Sequence, residues 1–212
     1  MINPRTADPW AIMRTDELAA STAERAARGA WYTPRAVAEQ ITALAFPPVG
    51  EATPLFVVDP TCGGGAFLVV ALDALVQRGV PAEEALRRIG GLDIDAGAVD
   101  TARRALAAWA DRHGVRARPE RVQQADALGP WPESWPVPDL VLGNPPFASP
   151  LRSAAGPAGL PPAAEAFRAR HRTELGPYAD LAAIHLLNAA HRLDATTGRL
   201  ALVVPQSMLA GR

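Results

Sequence analysis

Lysine is absent from this chain: its 21 basic residues are all arginine, set against 22 acids for a formal net charge of −1. Such a balance gives no global attraction for a polyanion, so any nucleic-acid contact must come from local arginines or from a segment outside this sequence. The arginine bias, with abundant Ala, Pro and Gly, is also what a GC-rich bacterial genome produces without functional pressure. Cysteine is nearly absent. Cys62 stands alone, which excludes an intrachain disulfide. His113, His171, His185 and His191 show no ligand spacing with cysteine or acid partners, so no structural metal is expected. No apolar run approaches the ~20 residues of a membrane span. The N-terminus, with Asp8, Pro9, Asp16 and Glu17, lacks the basic-then-apolar layout of a secretion signal. A chain with no membrane association and a cytoplasmic location is therefore expected. Aromatic residues are only 6 % against 49 % apolar, so the core of this ordinary-sized domain must be built mainly from Ala, Val and Leu.

What is present alternates between helix and strand. Residues 9–28 predict a helix that Gly29 ends, and Trp31-Tyr32-Thr33-Pro34 forms a turn into a second helix over 35–45. The run 55–58 suits a buried strand, and Phe67, Leu68, Ala71, Leu72 and Leu75 give an apolar helical face over 65–78. Further strands are predicted over 91–94, 121–124, 140–142 and 200–204, with helices over 96–112 and 177–193. Strands alternating with helices imply an α/β fold with a parallel sheet covered on both faces. Two stretches interrupt the pattern, the Pro- and Trp-rich 129–138 and the long insertion 148–176, which contains Arg168-Ala169-Arg170-His171-Arg172. Connections of that length are often functional lids or mobile segments. The arginines suit either phosphate contact or a solvated helix face, and Trp131 and Trp135 either base stacking or closure of their own loop.

Three groups of residues carry chemistry. The strand Leu140-Val141-Leu142-Gly143 runs into Asn144-Pro145-Pro146-Phe147. An Asn oxygen and the next carbonyl can accept the two hydrogens of a planar amine, an aromatic two places on can stack on its ring, and the prolines hold the carbonyl at a set angle. A Pro-rich turn uses the same residues. Asp59-Pro60-Thr61-Cys62-Gly63-Gly64-Gly65 leaves a strand, turns on three glycines and opens a helix. It lacks both the dinucleotide fingerprint and the Lys of a phosphate loop, and an acid at the strand end repels a pyrophosphate while suiting an ammonium. A cationic amino-acid nucleoside fits it better. Asp93, at the next strand end, can accept from ribose hydroxyls, Ile94 can cover a base face, and Asp126 can accept from the base's exocyclic amine. Any one of these acids alone also suits a cap or turn. Three at successive strand tips point to a ligand, since open parallel sheets bind at their strand C-termini.

In this combination the chain resembles the S-adenosylmethionine-dependent DNA adenine-N6 methyltransferases of restriction-modification type, over about residues 29–209. The resemblance rests on Gly29-Ala30-Trp31-Tyr32-Thr33-Pro34, on Asp59 to Leu68, on Gly91-Leu92-Asp93-Ile94-Asp95, and then on Asp126, Asn144 to Phe147, Tyr178 to Leu181 and Gly198 to Pro205, in the family's order. It implies a Rossmann-like class I methyltransferase fold with a doubly wound, mostly parallel sheet that stops after the fifth strand. A helical arm over 1–29 would precede a catalytic domain over 30–212. It further implies S-adenosylmethionine bound by Tyr32, Thr33, Pro34, Asp59, Pro60, Cys62, Gly63, Gly65 and Phe67 toward its methionine end and by Asp93, Ile94, Asp126 and Ala127 toward its adenosine, with Asn144 between cofactor and target. Asn144, Pro145, Pro146 and Phe147 would hold an adenine flipped out of DNA.

The family continues past the point where this chain stops at Arg212, with further strands and often a target-recognition domain. A C-terminal recognition region or a separate specificity chain is the partner this implies. Two other readings are open: a protein glutamine-N5 or RNA amino methyltransferase, which also uses Asn-Pro-Pro plus an aromatic, and a non-catalytic cofactor-binding module that needs a partner chain. Tyr32-Thr33-Pro34 ahead of the glycine turn favours DNA.

Overall fold

The computed structural model describes residues 7–19, 33–48, 56–147, 160–176 and 179–209. Five strands form one sheet: β1 (Val57–Asp59), β2 (Ile89–Asp93), β3 (Val122–Gln124), β4 (Leu140–Gly143) and β5 (Arg199–Leu202). Their spatial order is β3-β2-β1-β4-β5 and every pairing is parallel. The chain moves outward from β1 through β2 and β3, then returns to place β4 on β1's other side. That reversal puts the sheet's switch point, where ligand crevices form in such folds, between the C-terminal ends of β1 and β4.

Side chains alternate across the central strands, as the two-residue period of a strand requires. Val57, Ile89, Leu140 and Leu142 face a large core shared with the helices α1 (Pro9–Ala19), α2 (Arg35–Ala45), α3 (Ala66–Gln77) and α5 (Ala96–Arg112). Val58, Leu92 and Val141 face a second layer with Phe56, Trp131 and Ala189, the last on α7 (Leu181–Ala190). Both faces being covered explains why β1 and β4 are buried along their whole length and apolar apart from Asp59 at the tip of β1.

The helix with the most apolar sequence, α3, lies deepest: nine of its residues are buried. Helix α5 starts where the Asp95 side chain accepts from the N–H groups of Gly97 and Ala98, and its buried stripe includes Val99, Ala102, Leu106 and Trp109. Helix α1, within the segment expected as a helical arm over 1–29, packs on α5 and carries Trp10 and Met13 into the main core. The expected continuation of that helix over 20–28 lies outside the described residues.

Three short helices complete the set: α4 (Ala82–Arg87), α6 (Pro162–Arg170) and α8 (Gln206–Leu209), of which α4 and α8 are additional to the sequence reading. Helix α6 lies in the long insertion, where a helix face is one of the two readings of the arginines, and its Phe167 joins Leu160, Leu175, Leu181 and Ile184 in a small satellite core against α7. Residues 148–159 lie outside the described residues. Among those described, no helix is long and apolar enough to cross a membrane.

Candidate active site

The tips of β1, β2 and β4 converge on one another. Asp59, the last residue of β1, is 1 % exposed, and its Oδ1 accepts from the N–H of Thr61 at 3.0 Å. Across the switch point Gly143 ends β4, so close that a Cβ there would lie 2.8 Å from Asp59 Oδ1. Glycine is thus what lets the two tips meet. On β1's other side Asp93 ends β2, and its two oxygens accept from Gly63 N–H (2.8 Å) and Asp95 N–H (2.9 Å). The first bond ties the glycine turn to β2, and Cys62 N–H donating to the Leu92 carbonyl at 2.8 Å ties it a second time.

Within that turn Gly63 and Gly65 have φ of +50° and +91°, a region side chains resist. Gly65 also opens α3, and no side chain caps the helix there. The first turn of α3 therefore offers backbone N–H groups toward the strand tips.

The electrostatics favour a cation. Burial pushes the Asp59 carboxyl up to about 8, against the pull of the Thr61 N–H, with the neighbouring Asp93 charge pushing the same way. Burial raises Asp93 as well. A positive group placed between them would restore the charged form of each. Burial also lifts the Cys62 thiol well above its ordinary range, so it is a packing group and no nucleophile.

Asn144 follows Gly143. Its Nδ2 donates to Thr33 Oγ1 at 3.3 Å across 111 positions of sequence, while its Oδ1 is shielded from water and has no hydrogen-bond partner among the described residues. Thr61 Oγ1 at the neighbouring tip is likewise unpartnered. Buried oxygens without a donor are uncommon in folded proteins, and two at the strand tips mark where a ligand's N–H or O–H would sit. Pro145 is buried, Pro146 half-buried, and Phe147 exposed at 36 %. Ile94, just past β2, is an apolar side chain left 71 % exposed.

Phe67 is 2 % exposed in the core and Pro60 is buried beneath the turn. Ala127 is buried, and its carbonyl accepts from Trp131 Nε1 and Asn188 Nδ2. Asp126 Oδ1 accepts from Leu128 N–H at 2.9 Å, shaping the turn beyond β3. That turn sits beside β2 because Ala125 N–H donates to the Asp93 carbonyl. Pro34 is exposed ahead of α2, and Tyr32 lies outside the described residues, as does Tyr178.

Trp131 and Trp135 meet edge to face at 6.3 Å, with Phe56 against Trp135, so they close their own loop. Arg168 pairs with Glu165, and Arg170 lies over the Phe167 ring, the behaviour of a solvated helix face. Two features escaped the sequence reading. His185 on α7 is buried, its pKa pushed down to about 4 by desolvation against the pull of Asp126. His171, Glu174 and His191 come together at the ends of α6 and α7.

A parallel sheet of this order, with acids and an Asn-Pro-Pro-Phe corner at its tips, defines a class I methyltransferase fold. The N-6 DNA Methylase family model matches residues 16–211, and the chain belongs to that family. Among solved structures it is similar to the DrdV–DNA complex, with a TM-score of 0.75 at 16 % identity over 97 % of this chain and 24 % of that one. A Listeria monocytogenes protein assigned to the class I S-adenosylmethionine-dependent methyltransferases gives 0.63 at 14 % identity over 99 % of this chain and 58 % of that one. The methyltransferase subunit of a type I restriction-modification system from Streptococcus thermophilus gives 0.57 at 26 % identity over 84 % of this chain and 35 % of that one. The chain thus spans between about a quarter and three fifths of these proteins. No curated protein sequence matches it.

Proposed function

We propose that this chain is the cofactor- and amine-binding core of an enzyme that methylates the N6 amino group of adenine in DNA, in a bacterial restriction-modification or phage-defence system. The observation that carries the reading is the Oδ1 of Asn144, which has no partner among the described residues and lies one residue beyond the glycine whose missing Cβ leaves room for Asp59.

The residues present fit S-adenosylmethionine. Asp59 and the uncapped start of α3 suit the ammonium and carboxylate of an amino acid, and Asp93 keeps lone pairs for ribose hydroxyls beyond those its two backbone N–H bonds use. Exposed Ile94 suits one face of the adenine, and Asp126 its amine. When bound, the cofactor supplies an electrophilic methyl on sulfur. Asn144 Oδ1 and the Pro145 carbonyl accept the two hydrogens of the target amine, and Phe147 stacks on the target ring. Adenine N6 is a weak nucleophile because its lone pair is delocalised into the ring. Two acceptors on its hydrogens favour a more pyramidal nitrogen, a stabilisation that grows toward the transition state. The amine's proton becomes acidic as the methyl arrives, so positioning rather than a strong base provides most of the rate. Contacts that recognise DNA sequence are assigned to a C-terminal region or a specificity chain, consistent with a net charge of −1 here.

The test is transfer of tritiated methyl groups to mixed-sequence DNA by this chain and by the full reading frame that encodes it. The expected product after nuclease digestion is N6-methyladenine, and Asn144→Ala should lower the rate at least about 100-fold. Label in protein or RNA instead of DNA, or N4-methylcytosine as product, overturns the reading. Cofactor binding without transfer to any acceptor favours a non-catalytic module.

A further inference from the structure

Helices α6 and α7 end beside each other, and each is closed by a histidine: His171 is the C-cap of α6 and His191 the C-cap of α7. Between the two imidazoles lies the Glu174 carboxylate. Its Oε2 is 3.1 Å from His171 Nδ1, its Oε1 is 3.4 Å from His191 Nε2, and the three ligand atoms lie within 4.8 Å of one another. The edge of a tetrahedron built on zinc–nitrogen and zinc–oxygen bonds of ordinary length is roughly 3.3–3.4 Å, close to both imidazole–carboxylate distances, which end on the two different oxygens of the Glu174 carboxylate.

The rings are held in place. His171 stacks on the buried Phe167 at 4.3 Å and 27°, and its centroid is 4.9 Å from that of His191. The turn between His171 and Glu174 is fixed by Glu174 N–H and Leu175 N–H, both donating to the His171 carbonyl. Two helix C-termini converge here, and each presents the negative end of its backbone dipole, which favours positive charge. The neighbouring guanidiniums are engaged elsewhere: Arg170 over Phe167, Arg172 on the Ala169 carbonyl, and Arg192 over Trp131 with a hydrogen bond to the Gly129 carbonyl.

We infer that His171, Glu174 and His191 bind one first-row divalent ion of the zinc class. Two imidazoles and one carboxylate suit zinc and its transition-metal neighbours, whereas calcium and magnesium take mainly oxygen ligands. Three protein ligands leave a fourth position for water or for an anion. The two imidazoles also line a cleft of about 420 Å³. The ion would staple the segment after α6 to the end of α7. This site is separate from the strand tips and does not depend on methyl transfer.

The experiment uses the untagged full chain, stripped with chelator. Zn²⁺ affinity is measured by competition with a chromogenic chelator, and Co²⁺ binding by its visible absorption. One ion per chain is expected, with His171→Ala, His191→Ala and Glu174→Gln each weakening it at least about tenfold. His113→Asn, on α5's far end, should leave it unchanged. Zn²⁺ at a hundredfold excess over its Kd should raise the wild-type Tm by roughly 5–10 °C. Absence of saturable one-to-one uptake overturns the inference. So does uptake that survives loss of both His171 and His191. Circular dichroism of each variant separates lost binding from lost folding, and the wild-type Tm shift stands whether or not a variant folds.

Discussion

A single hydrogen bond orients the amide on which the proposed chemistry turns. Thr33 Oγ1 takes Asn144 Nδ2, which leaves Oδ1 as the group available to a target amine. Thr33→Val removes that partner and frees the amide to rotate. A loss of about 1–1.4 kcal/mol of transition-state stabilisation is expected, seen as a roughly tenfold lower kcat/KM for methyl transfer, with Thr33→Ser restoring most of it. The acids were legible in the sequence because each follows a predicted strand, and three in succession point to a ligand where one alone suits a cap. Asn144 was legible because a short apolar strand runs straight into it and two prolines. Its pairing with Thr33 was not, since 111 intervening residues carry no local trace of it. The grouping of His171, Glu174 and His191 leaves equally little trace in the sequence. Only the 171–174 spacing is local, and His191 reaches the group by the packing of α7.

At the scale of elements, the junction of the glycine turn with α3 is the most constrained. Gly65 has φ +91°, and a Cβ there would come 3.3 Å from the backbone Cα of Ala102, which α5 cannot move aside. Gly65→Ala should therefore cost about 1–3 kcal/mol in urea unfolding and also weaken cofactor binding. Gly114→Ala, with a positive φ but open space around it, should show the strain alone and leave binding intact. The five strands and the long helices could be read from sequence because period and apolar run length are local properties. Boundaries shifted where a cap decided them. Asp180 starts α7 by accepting from Ala183 N–H, three residues after the predicted start at 177. Strand β2 starts at Ile89 rather than Gly91, its two glycines making room for Trp135 on one side and Leu68 on the other. The six-residue α4 and nine-residue α6 are too short to impose a period and take their stability from burying Leu86 and Phe167.

For the molecule as a whole, two buried groups shape how stability varies with pH. The native Asp59 carboxyl titrates near 8 against an ordinary 3.8, so the folded chain holds a proton that the unfolded chain has released. Its contribution is lost as pH rises from about 4 through about 8. His185 works the other way. Depressed from 6.5 to about 4, it contributes stability above pH 6.5 that is lost as pH falls through 4. The two slopes oppose each other between about 4 and 6.5, and above that range only the Asp59 decline remains. Denaturant unfolding should show stability falling from pH 6.5 to 9. Asp59→Asn should flatten that fall and exceed wild type by at least about 1 kcal/mol at pH 9. The buried carboxyl has one more consequence. At neutral pH, a positively charged guest seated beside Asp59 expels its hydrogen ion into solution, so loading the protein acidifies the medium. Calorimetric heats for S-adenosylmethionine should then be more exothermic in Tris than in phosphate, affinity should climb up to about tenfold per pH unit below 8, and both effects should vanish in the Asn variant.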